Sequence, residues 1–323
     1  MRVTGGSWGS IAAARIGRLK IHRMQESQPA RSAGAEELAK VLARYGEDPG
    51  LAWRQLRDLR DSDPPGFGKA ALVHLGGGAT GAAETHLSHV LGVGHEYLDV
   101  LTDPDQLADG EAVVAASMMA RGDPEFYKKL LKMRGTRDHR RIYRILQLID
   151  RDDQAMLLVP WLRELADDKN SRLASKAAMI LSRLTKNPLA VARFLHSGDA
   201  RVRANAVEGL WGGNVEKTRA LLHLAARDSN HRVVANALVE LCRQGDSIGR
   251  KKLEELAGHE DARFRAAIAW AIGEIASPDL LPTLQLLEGD STLSVRLRAG
   301  RTAKRLQGAL SEANAQRRSL KTG

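Results

Sequence analysis

Val202-Arg-Ala-Asn-Ala-Val-Glu-Gly-Leu210, Val233-Val-Ala-Asn-Ala-Leu-Val-Glu-Leu241, Phe264-Arg-Ala-Ala-Ile-Ala-Trp-Ala-Ile272 and Val295-Arg-Leu-Arg-Ala-Gly-Arg-Thr-Ala303 are copies of one pattern, their first residues 31 apart throughout. Two earlier copies start at Leu173, 29 before Val202, and at Ile142, 31 before Leu173; a weaker one lies near Glu111–Met119. The first, fifth and ninth positions are apolar or small, as in Val202, Ala206 and Leu210 or Val233, Ala237 and Leu241. A four-residue spacing is one stripe of an α-helix. Between copies lies a second amphipathic segment, at 218–226, 250–257 and 280–287, set off by turn signals such as Ser197-Gly-Asp199, Gly212-Gly-Asn214 and Ser277-Pro-Asp279. Two helices and two turns fill the period. A unit that small cannot bury its apolar face alone, so the units must stack.

The underlying pattern, Asp-x-(Asp/Asn)-x-Arg-Val-Arg-x-x-Ala-x-x-x-Leu, resembles the short HEAT-like repeats of bacterial proteins, including those of phycobilin lyases. Asp168, Asp228 and Asp290 match the inter-helix acid of that family, and Ser197 and His259 depart from it. Arg203, Arg265 and Arg296 match its second-helix arginine, and Val234 departs. The resemblance covers residues 105–308 and implies an all-α fold: an α-solenoid of helical hairpins stacked into a right-handed superhelix. It also implies a binding scaffold rather than an enzyme. Residues 32–104 are less regular. Glu36–Tyr45 and Leu51–Arg60 read as helices ahead of a Pro64-Pro65-Gly66 break, and the region reads as degenerate capping repeats.

The totals agree with close-packed helices. Aromatics are only 4% of the 323 residues, and the 43% hydrophobic content is mostly Ala, Leu, Val and Ile. Cys242 is the single cysteine, which excludes an internal disulfide and a multi-cysteine zinc site and points to a reducing cytoplasm. No apolar run approaches the roughly 18 residues of a membrane span. The net charge of +10 is concentrated at the ends. Residues 1–31 and 301–323 each carry six Lys/Arg and one acid, whereas residues 32–300 carry 37 of each sign. Residues 1–31 and 309–323 therefore read as basic, disordered tails. Nucleic-acid binding through them is the runner-up function; a neutral body argues against a strongly basic solenoid surface.

Three chemical motifs compete with the scaffold reading. Gly76-Gly-Gly-Ala-Thr-Gly81 contains G-x-G-x-x-G after the apolar run Ala70–Leu75, the order of a dinucleotide-binding βαβ unit, though without the further strands such a unit needs. His74, His86, His89 and His95 cluster in sequence, and His86 and His89 have metal-compatible spacing. His95-Glu96 and His259-Glu260 are two His-Glu pairs where the HEAT-repeat di-iron enzyme deoxyhypusine hydroxylase has four. None is complete, so the expectation is no cofactor and no metal.

The better candidate is a row. One position before each copy's first apolar residue stand Arg141, Arg172, Arg201, Arg232 and Arg263, then Ser294. Seven residues further, on nearly the same face, are Leu148, Met179, Glu208, Val239, Trp270 and Arg301. Arg, Met and Trp are enriched at interfaces. Arg172, Met179, Arg201, Arg232, Val239, Arg263 and Trp270 are the expected contacts of a protein partner on the concave second-helix face. The competing reading is that these arginines cap their helices and bridge neighbouring repeats.

Overall fold

The computed structural model describes residues 33–322, apart from residues 151 and 186. The N-terminal tail expected over residues 1–31 lies outside the described residues. Among those described, regular structure is helical throughout, with no strand. The chain runs α1 (Ala33–Ala43), α2 (Pro49–Ser62), α3 (Pro64–Gly76), α4 (Ala82–Leu91), α5 (Tyr97–Thr102), α6 (Asp109–Gly122), α7 (Phe126–Lys132) and α8 (His139–Leu148). The periodic part follows with α9 (Val159–Ala166), α10 (Ser171–Thr185), α11 (Pro188–Leu195), α12 (Ala200–Glu208), α13 (Val215–Ala225) and α14 (His231–Arg243). It closes with α15 (Ser247–Leu256), α16 (Ala262–Ile275), α17 (Leu281–Glu288) and α18 (Leu293–Thr322).

The even-numbered helices from α8 to α18 are the second helices of successive hairpins, and each packs on the next. Their apolar stripe forms the core: Val202, Ala206, Leu210, Val233, Ala237, Leu241, Ile268 and Ile272 are all buried. Among successive first helices only α11 and α13 make more than marginal contact. The second helices therefore form the more continuous layer of the stack. Small residues permit its close packing. A Cβ on Gly209, at the end of α12, would lie 2.4 Å from the Met179 carbonyl oxygen of α10. The N-terminal helices continue the second-helix layer, with α1 on α3, α3 on α6 and α6 on α8.

Turn chemistry sets each second helix going. Asp138, Asn170, Asp199, Asn230 and Asp261 each accept the backbone N–H of the residue two further on, satisfying a first-turn donor. Two residues before the cap, Asp168, Ser197, Asp228, His259 and Asp290 accept the N–H of the cap residue or its equivalent. Ser197 and His259 thus keep the acceptor role while departing from the acid.

They lack the acid's second task. Arg203 makes two bonds to Asp228 of the next repeat, at 2.7 and 3.0 Å, and donates a third to the Ser197 carbonyl at 2.8 Å. Arg265 repeats this with Asp290 and the His259 carbonyl. On the intervening rungs, Ala174 and Val234 hold the arginine's position and Ser197 and His259 the acid's, so arginine and acid are missing together. At the second of these, His259 stacks on Phe264 with centroids 4.3 Å apart. The departures are two halves of one inter-repeat contact.

Burial alone would raise the Asp228 carboxyl, but the Arg203 bond and the Asn230 N–H outweigh it and hold it below the ordinary carboxylate value. The Arg265 bond does the same for Asp290, against a smaller burial cost. This stabilisation is present above the ordinary carboxylate pKa of about 4 and is lost as pH falls through the depressed values. A double-mutant cycle on Arg203→Ala and Asp228→Ala should give a coupling of about 1–2 kcal/mol near pH 7 and almost none near pH 2. A coupling unchanged by acid would show that the contact is packing rather than charge.

α18 runs to Thr322, through the segment 309–323 expected as a disordered tail. Residues 309–322 contain no Gly or Pro and are rich in Ala, Leu, Gln, Arg and Lys, which leaves nothing to stop the helix.

Candidate functional site

The second-helix row divides. Arg172, Arg201, Arg232 and Arg263 are exposed, and Met179 and Trp270 are half-buried. Val239 is a correction: it is 0% exposed. Trp211, just past α12, and Trp270, on α16, stack with ring centroids 6.3 Å apart. To meet they must reach over α14, the helix between, and this covers Val239. The Trp211 indole N–H is anchored on the Asn236 carbonyl at 2.9 Å, and the Arg243 guanidinium lies 4.9 Å from its ring. Leu148, earlier in the row, is likewise buried.

The arginines divide too. Arg141 reaches Asp99 at 3.4 Å, next to Arg140–Asp105 at 2.6 Å and Arg144–Asp109 at 3.1 Å. Together these clamp α8 to the preceding helices, so Arg141 is architectural. Arg172 lies over the Tyr143 ring of the previous repeat at 3.8 Å, and Arg263 folds back on Asp261, its own helix cap. For the side chains of Arg201, Arg232, Arg298 and Arg301 no hydrogen bond or ion pair occurs among the described residues. Arg201 and Arg232 also stand in the first turn of their helices, where the macrodipole disfavours a cation. Arg201 acts on the Asp199 carboxylate and Arg232 on Glu208 through space only, without a side-chain bond.

Glu208 sits among these cations, and burial pushes its carboxyl above the ordinary value despite nearby Lys176. A raised carboxyl contributes stability that is present below the unfolded pKa and lost as pH rises through the folded one. Glu208→Gln should therefore raise the melting temperature at pH 7 and leave it unchanged near about pH 4. A fall at pH 7 would mean that the ionised carboxylate is a structural partner.

The neutral total of the body conceals a polarised chain. Residues 33–125 hold 7 Lys/Arg and 16 Asp/Glu, whereas residues 126–309 hold 33 and 21. The neutral total over residues 32–300 thus combines an acidic excess before residue 126 with a basic excess after it.

The competing motifs come apart. Ala70–Leu75 is helical rather than a strand, and Gly77–Gly81 links α3 to α4, with Gly78 at φ +80° supplying the turn. Gly76 is small because a Cβ there would lie 3.0 Å from the Glu111 backbone carbonyl of α6. The dinucleotide-binding reading is overturned because its first strand is a helix and no strand occurs among the described residues. His74 bonds Glu84, His86 bonds Tyr45 and His89 bonds the Thr85 carbonyl. Among the described residues no three His, Cys, Asp or Glu gather as a metal group. Glu96 accepts the His95 backbone N–H, and the His259 ring accepts that of Asp261, so both His-Glu pairs serve their own turns. No described helix is long and apolar enough to cross a membrane.

Trp211, Arg243 and Arg298 escape the sequence row, although Arg243 and Arg298 fall on its face at further helical steps. Trp211 follows α12 in a turn, where helical spacing gives no signal.

A family model described as HEAT repeats matches residues 218–304. No curated protein matches the chain. Similar solved structures include YibA of Escherichia coli, 16% identical, covering 87% of this chain and 100% of that one with a TM-score of 0.36. An engineered protein, 15% identical, covers 73% and 95% with a TM-score of 0.31. Human deoxyhypusine hydroxylase in complex with glycerol, 18% identical, covers 85% and 97% with a TM-score of 0.24. None of these likenesses carries function across. The helical hairpins and capped second helices make the chain an all-α solenoid, in which residues 218–304 match HEAT repeats.

Proposed function

We propose that this protein is a non-enzymatic scaffold that holds a protein partner on the inner face of its second helices, in a reducing cytoplasm. The observation that supports this most is the exposure of Arg201 and Arg232 without a side-chain partner, in helix turns that penalise a cation. Arg172, Arg263, Met179 and the half-buried Trp270 extend the face across four repeats. Cys242 adds no chemistry: burial pushes its thiol up to about 11, which suppresses the reactive thiolate.

A photo-crosslinking residue at Arg232 should capture a partner in cells, while the same residue at Leu286, exposed on the first-helix side, should not. The captured protein, identified by mass spectrometry and purified, should bind Trp270→Ala more weakly by about 2 kcal/mol or more. That variant should also melt earlier, because the Trp211 stack is lost. Capture from Leu286 alone would move the site to the outer face.

A further inference from the structure

We infer that the partner reaches this face through an extended acidic segment, with carboxylates about three residues apart and a side chain that packs on the Trp211–Trp270 pair. The inference rests on the scaffold reading and adds the chemistry of its partner.

The charge on the face is one-sided once internal pairs are removed. Asp150 is taken by Lys176 at 2.6 Å and Arg183 at 3.0 Å, and Glu274 lies 3.7 Å from Arg305. Asp199 is engaged as the cap of its helix, and burial of Glu208 favours its neutral form. Against these stand Arg201, Arg232, Arg298 and Arg301, with no side-chain bond among the described residues, and Arg172, whose guanidinium is held only over a ring. They belong to a segment, residues 126–309, that carries a net basic excess. A like-charged surface repels a basic partner, and an acidic one gains both affinity and rate of encounter.

Spacing selects the form of the segment. Packed helices lie roughly 8–10 Å apart, so cations on successive second helices recur at about that interval. An extended chain advances about 3.3 Å per residue, so every third residue meets the next helix. An arginine also offers a planar fork suited to a carboxylate. The indole pair lies beside this track, half-buried and held by Asn236 and Arg243, and presents a rigid apolar contact.

The test uses the full chain and a fluorescein-labelled peptide of five Glu-Tyr-Ser units. A second peptide has the same composition with its glutamates contiguous, and a thymidine hexanucleotide carries the same number of charges. The spaced peptide should bind best and lose about tenfold or more in affinity between about 50 and about 300 mM salt. The double variant Arg201→Glu/Arg232→Glu should weaken it by about tenfold or more. Equal binding of the two peptides overturns the register, and peptide binding unaffected by the double variant overturns the site. Tighter binding of the hexanucleotide overturns the acidic-segment inference and shows a nucleic-acid face. Failure of the peptide while the partner crosslinked at Arg232 still binds would sink the acidic inference and leave the scaffold standing.

Discussion

Asp123→Ala should lower the stability of the protein by about 3–5 kcal/mol, the largest loss expected from any single charge in the chain. Asp123 and Lys129 are 3% and 6% exposed and meet at 2.6 Å. Tyr97 donates its hydroxyl to the same carboxylate at 2.8 Å, and Lys129 also donates to the Gly92 and Gly94 carbonyls. Burial and the neighbouring carboxylate push the Tyr97 hydroxyl far above its ordinary value, so it stays a donor at any ordinary pH. Removing Asp123 leaves a buried ammonium facing two carbonyls and no anion. The loop between α4 and α5, which this cluster ties to α6 and α7, should open first. A thermal melt measures the loss, and hydrogen exchange should place it at residues 92–102. Lys129→Met with Asp123→Leu should recover part of the stability, because an apolar pair strands no charge. An Asp123→Ala protein that melts like the parent would show that the pair is hydrated and contributes nothing.

Gly209→Val should cost about 3 kcal/mol or more, for a steric reason. The Gly209 backbone is ordinary helix, so any residue satisfies its dihedral angles. Its space is the constraint: a Cβ would meet the Met179 carbonyl at 2.4 Å and the Ser182 Cβ at 2.6 Å. A backbone oxygen cannot turn aside as a side chain does, so α10 and α12 must separate. In a nearest-neighbour array that separation splits the stack at one interface. Hydrogen exchange should rise in both helices, and the melt should broaden or divide into two transitions. A single unchanged transition would contradict the close packing of the second-helix layer.

The sequence made the fold legible because each repeat carries the same local instructions. Apolar stripes such as Val233, Ala237 and Leu241 and the caps Asp199, Asn230 and Asp261 act within a few residues of themselves. The inter-repeat contacts were less legible. Arg203 and Asp228 are 25 residues apart, and the paired loss of Val234 and His259 makes sense only once the rung between them is seen. The site was half legible. Exposure of Arg172, Arg201, Arg232 and Arg263 follows from helical phase, but the burial of Val239 does not. It is decided by Trp211, which stands in a turn and leans over the neighbouring helix. The charge is polarised along the chain, acidic before residue 126 and basic after it, which a total over residues 32–300 does not display.

Arg201→Glu/Arg232→Glu separates a partner-binding role of the second-helix arginines from a structural one. Both residues stand in the first helical turn, where an acid is favoured over a base by about 0.3–1 kcal/mol. The double variant should melt at the same temperature as the parent or slightly above it. Its affinity for the partner captured at Arg232 should fall by about tenfold or more. A lower melting temperature with affinity unchanged would contradict the account and make the row part of the architecture.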